Sequence, residues 1–96
     1  MTSRVEKIKH LLEVALAPTR VIIHDDSQSH AGHAGATAGG GHFYATIVAS
    51  AFAGKTLIQR HQLVYEALAE LMRSDIHALS IKAFTPLEFE QLENQD

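Results

Sequence analysis

Three short segments of this 96-residue chain constrain its fold more than anything else in it. Ser3-Arg4-Val5-Glu6, Thr56-Leu57-Ile58-Gln59 and Thr85-Pro86-Leu87-Glu88 are all capping boxes. In each, a hydroxyl can accept from an early backbone N–H of a helix, and the Glu or Gln three residues later can reach back to the cap residue's own N–H. Pro86 takes the favoured first helical position. Three helix starts are therefore fixed by local chemistry, and the stretches between them must supply the rest of the fold.

Those stretches read as strands. The first helix is predicted over residues 4–17, with Val5, Ile8, Leu12 and Ala15 as its apolar stripe, widened by Leu11 and Leu16. Pro18 stops it. Residues 19–25 are rich in β-branched side chains and form a first strand. Residues 42–50 alternate: Phe43, Ala45, Ile47 and Ala49 share one face, and Tyr44, Thr46, Val48 and Ser50 the other. A second helix is expected over 57–73, with Leu57, His61, Val64, Leu68, Leu71 and Met72 facing inward. A third strand over 76–84 and a short helix after Pro86 complete the order α-β-β-α-β-α. This is one α+β domain over residues 1–96, a three-stranded mixed sheet with helices packed on one face. The hairpin pair should be antiparallel, and the pair joined through a helix parallel.

Composition narrows the function. The chain is 46% hydrophobic and 20% charged, ordinary for a globular domain. No apolar run is long enough to span a membrane. No apolar stretch follows a basic start, so a cytoplasmic location is expected. The net charge of −3 argues against strong non-specific binding to nucleic acid. Neither a nucleophile elbow nor a phosphate-binding P-loop is present, and catalysis is not expected.

Histidine is the informative residue. There are 7 His and no Cys. Residues 26–42 form a glycine–alanine loop that holds five of the 6 glycines and carries His30, His33 and His42. Such a segment cannot pack a core and is expected to be mobile. His77 sits in the apolar run of the third strand. Imidazole suits Zn, Cu, Fe and Ni. A loop with imidazoles beside a strand with one more looks like half of a metal site, and any sulfur must come from a partner. The plainer readings are a solvated loop for His30 and His33, and a partly buried, hydrogen-bonded imidazole for His77. His61 reads as a core histidine. Lys55 and Arg60 make a small basic corner at a helix N-terminus, a weak signal for phosphate or nucleic acid.

Several pieces in order resemble the BolA family. They are Ala17-Pro18-Thr19, Asp25-Asp26-Ser27-Gln28-Ser29-His30, His42-Phe43, Phe52-Ala53-Gly54, Arg60-His61-Gln62-Leu63-Val64-Tyr65, Ile76-His77-Ala78-Leu79-Ser80-Ile81 and Thr85-Pro86-Leu87-Glu88. Together they span nearly the whole chain. The resemblance implies a fold like the class II KH domain. It also implies a non-enzymatic adaptor in iron–sulfur cluster assembly, which shares a [2Fe–2S] cluster with a monothiol glutaredoxin and glutathione and holds none alone. By position His30 matches the family's loop ligand and His77 its fixed ligand. His33 rivals His30, because this loop is longer and richer in glycine. The second role the family implies is a DNA-binding transcriptional regulator using the helix of Lys55 and Arg60, although the G-x-x-G loop of KH domains is missing. A second copy of the chain is the other partner considered.

Overall fold

The computed structural model describes residues 2–27 and 40–94. Helix α1 (Arg4–Leu16) leads into β1 (Arg20–Asp25), which pairs antiparallel with β2 (Gly41–Val48). A 3-10 turn (Ser50–Phe52) and helix α2 (Leu57–Ala67) carry the chain to β3 (Ile76–Phe84), parallel to β2, and α3 (Pro86–Glu93) closes the fold. The strand order is β1-β2-β3. All three capping boxes form, each with both of its reciprocal hydrogen bonds. Those bonds join residues three apart, so four residues suffice to encode them.

The core lies between one sheet face and α1 and α2. Phe43, Ala45, Ile47 and Ala49 of the alternating segment are all buried, against Ile8 and Leu12 of α1, Val64 of α2, and Phe52 and Leu68. Burying side chains of this size contributes about 1.5–3 kcal/mol each. Helix α3 turns around the end of β3. Its Glu88 reaches Arg60 on the helical side, and its Phe89 rests on Phe84 with ring centres 5.7 Å apart.

Three expectations need correction. Helix α2 stops at Ala67, not 73; the chain tightens into a 3-10 turn (Leu71–Arg73) that still lays Leu71 and Met72 on the core. Leu57, at the first residue of α2, is 66% exposed rather than facing inward. Ala15 is exposed and Leu16 takes its place in the core, because the buried positions of α1 run at intervals of four through Ile8, Leu12 and Leu16. Ala17 then ends the helix in the left-handed region at φ 45°.

Candidate metal-ligating site

The two pairing directions decide where the chemistry gathers. β2 and β3 are parallel, so both begin at the same end of the sheet; β1 is antiparallel, so it finishes there. Asp25, Gly41 and Ile76 therefore meet at one end. β1 ends and β2 begins there. His30 and His33 lie outside the described residues. His77 stands at the start of β3, at this same end.

The orientation of His77 comes from a slip in the ladder. Gly41 pairs with Ile76, but His42 pairs with Ala78. His77 has no opposite number. The cause is packing: Ile76 is buried and Leu79 also lies against the core, yet the two are three residues apart, which simple alternation cannot satisfy. One residue must be absorbed as a bulge, and bulges re-aim the side chain they carry. The result is an exposed His77 whose ring lies beside that of half-buried His42, with centres 5.1 Å apart and planes inclined by 40°.

The backbone around the pair is tied from three sides. Asp26 donates its N–H to the His42 carbonyl at 2.8 Å, and Gly41 donates to the Asp75 carbonyl at 3.0 Å. The Ser27 hydroxyl accepts from the His42 N–H at 3.2 Å, while the Ser27 N–H donates to the Asp25 carboxylate at 2.9 Å. The Ser27 hydroxyl and then its N–H hold the Asp25 carboxyl below its ordinary pKa. Asp75, just before β3, accepts from the Ser74 hydroxyl and from Lys7 of α1, which together keep its carboxyl low. Gly40 passes so close to His77 that a Cβ there would come within 2.8 Å of the His77 Cβ and backbone nitrogen. Glycine at residue 40 is thus a condition of that close approach.

Two imidazole rings at this centre-to-centre spacing are near enough to share one metal ion. With metal–nitrogen bonds of about 2.0–2.1 Å, two rings on a tetrahedral centre stand with their ring centres about 5 Å apart. Among the described residues no three His, Cys, Asp or Glu side chains gather as a metal site. The pair alone offers no more than two nitrogen donors. The sequence places His42 among the loop histidines, while the ligands that the family resemblance implies are His77 with His30 or His33. What brings His42 beside His77 is the parallel pairing of two strands, one beginning Gly41-His42 and the other Ile76-His77.

The basic corner at the other end of β3 is not a free surface. Arg60 is only 8% exposed. It donates to the Lys55 carbonyl at 3.0 Å, the Ala83 carbonyl at 3.1 Å and both Glu88 oxygens at 2.6 and 3.1 Å. The Arg60 guanidinium brings Glu88 down to a pKa of about 2, and Glu88 in turn raises Arg60. Arg60 clamps α2 to β3 and α3, so its guanidinium is engaged inside the protein rather than offered at the basic corner. Lys55 remains exposed.

The family model of BolA-like proteins matches residues 12–88. The chain belongs to the BolA family. It is 43% identical over 91 residues to SufE-like protein 1 of Arabidopsis thaliana, covering 90% of this chain and 24% of that protein. To the DNA-binding transcriptional regulator BolA of Escherichia coli it is 32% identical over 89 residues, covering 93% of this chain and 82% of that one. Among solved structures, BolA1 from Arabidopsis thaliana superposes with a TM-score of 0.79 at 38% identity, over 92% of this chain and 97% of that chain. This BolA domain spans about a quarter of the plant SufE-like protein and from 56% to 59% of several curated BolA1 relatives. Among the described residues no helix is long and apolar enough to cross a membrane.

Proposed function

We propose that this BolA domain is a non-enzymatic adaptor in iron–sulfur cluster trafficking. It would complete a [2Fe–2S] cluster whose sulfur ligands come from a monothiol glutaredoxin and glutathione. The single observation that carries the reading is the His42–His77 pair, two imidazoles 5.1 Å apart in a chain without cysteine. His77 is the fixed ligand. His42 joins His30 and His33 as a candidate for the second, and its ring already lies beside that of His77. Two imidazoles in place of two thiolates on one iron raise the reduction potential, as in Rieske centres. The chain's own part is to hold the nitrogens: Ser27, Asp26 and Asp75 pin the backbone on either side of them.

The test is visible circular dichroism of the chain mixed with a monothiol glutaredoxin, glutathione, iron and sulfide. His77→Ala is expected to change the spectrum. The His42→Ala, His30→Ala and His33→Ala variants identify its partner. A wild-type spectrum from His77→Ala removes the reading.

One observation favours a second reading, a DNA-binding regulator: the Escherichia coli relative carries that name. Of the two cations first assigned to it, only Lys55 is available to a phosphate, since Arg60 is spent inside the protein. Salt-dependent, sequence-selective DNA binding by the isolated chain would support it.

A further inference from the structure

The register of the sheet arranges its outer face in cross-strand rows. Arg20, Val48 and Phe84 make the first row; Ile22, Thr46 and Lys82 the second; His24, Tyr44 and Ser80 the third; and His42 with Ala78 the fourth. Phe89 of α3 covers the first row: it lies on Phe84, and Arg20 sits 5.4 Å over its ring. Among the described residues no element covers the second and third rows. Ile22 is 47% and Tyr44 50% exposed there, in a protein whose opposite sheet face is packed under two helices. The open rows run directly into the imidazole of the fourth.

We propose that rows two and three are the docking surface for the protein that brings the thiolate-held iron, and that this partner presents an acidic side chain to Lys82. The inference rests on the adaptor reading above. Continuity with His42 is the first argument, since whatever covers a metal at His42 must also lie over Tyr44, the next residue along the same face. Charge is the second. Lys82 is exposed and makes no ion pair among the described residues, whereas Arg20 on the same face is neutralised by Glu93 at 3.1 Å. The open rows thus carry an unmatched cation on a chain of net charge −3. Size is the third. With strands about 4.8 Å apart and same-face residues about 6.7 Å apart, the open rows with the histidine row cover roughly 300 Å². A stable complex needs about 800 Å² on each side. The face is too small to hold a second copy of this chain unaided, and it suits a partner whose grip is completed by a shared metal.

The experiment titrates the intact chain into a [2Fe–2S]-loaded monothiol glutaredoxin with glutathione, reading affinity from the titration midpoint and ligation from the shape of the visible dichroism at saturation. Ile22→Glu and Lys82→Glu are each expected to weaken binding about tenfold or more, while the saturated spectrum keeps its wild-type shape. Lys82→Glu, fully on the surface, guards against a folding defect at residue 22, and Ile58→Glu on the exposed start of α2 is expected to bind as wild type. Wild-type affinity in both face variants overturns the proposal even where His77→Ala changes the spectrum. An unchanged spectrum in His77→Ala overturns the adaptor reading instead. Two further results overturn the docking assignment: dimerisation of the chain alone that Ile22→Glu abolishes, or stacking of a single-stranded oligonucleotide on Tyr44 that survives without the metal-bearing partner.

Discussion

Replacing Glu88 by Gln isolates the ionic part of the Arg60 clamp. Glutamine keeps the side-chain oxygen that accepts from the Thr85 N–H, so the capping box survives. It also keeps one acceptor for Arg60. What is lost is the charge, and with it the second oxygen, which accepts from Arg60 Nη2. A carboxylate lowered from 4.5 to about 2 would contribute about 3 kcal/mol at neutral pH if fully shielded. The Glu88 side chain is 45% exposed, so solvent screens more than half of that, leaving about 1–1.5 kcal/mol. The folded-state pKa is depressed, so this stabilisation is complete above about pH 4.5 and is lost as pH falls through the interval from 4.5 to about 2. Urea unfolding followed by far-ultraviolet dichroism should show Glu88→Gln less stable than wild type by that amount at pH 7, a melting shift of about 5–10 °C for a domain of this size. The two proteins should converge near pH 2. The comparison must be between variants, because Asp25 and Asp75 are lowered too and wild type itself weakens in acid. Equal stability at pH 7, or a difference that persists at pH 2, refutes the ionic account of the clamp.

Arg60→Met goes further, because it strips the donors from the Lys55 and Ala83 carbonyls as well; about 3 kcal/mol should be lost at pH 7, and a DNA-binding defect in this variant should track its unfolded fraction. Phe52→Ala empties a fully buried site and should cost about 3–5 kcal/mol in the same unfolding assay. Gly40→Ala forces a Cβ against the His77 backbone; a loss of about 1–3 kcal/mol is expected, with displaced His42 and His77 ring resonances in the NMR spectrum, and unmoved resonances would contradict the close approach. Ala17→Gly relieves a left-handed alanine at the end of α1 and should raise stability by about 0.5 kcal/mol, read as a higher midpoint at unchanged m-value.

What the sequence revealed follows the range of the interaction that encodes it. The three helix starts depend on bonds between residues three apart, and the buried face of β2 depends on alternation within one strand, so both were legible. The fate of Arg60 was not. Its partners Ala83 and Glu88 lie 23 and 28 residues away, and nothing in Arg60-His61-Gln62 distinguishes a clamp from a solvated cation. The end of α2 was misread for a different reason: no glycine or proline marks residue 68, and Leu71 and Met72 continue an inward pattern that a 3-10 turn serves as well as a helix does.

His77 falls between these cases. Its place at the loop end of the sheet follows once β2 and β3 are recognised as parallel, but its exposure does not follow from a period of two. The cue lies in the spacing of Ile76 and Leu79. Register in a sheet with one covered face is set by the apolar set that must point inward, and here Leu79, Ile81 and Ala83 hold β3 against Phe43, Ala45 and Ile47. Ile76 is buried opposite Gly41 as well, so three steps on β3 must match two on β2. The surplus residue cannot join the core and cannot pair with a neighbour; it is released at the end of the sheet where β2 and β3 begin. Core packing at Ile76 and Leu79 thus places the His77 imidazole beside that of His42, and changes confined to the core here would alter the spacing of the two rings.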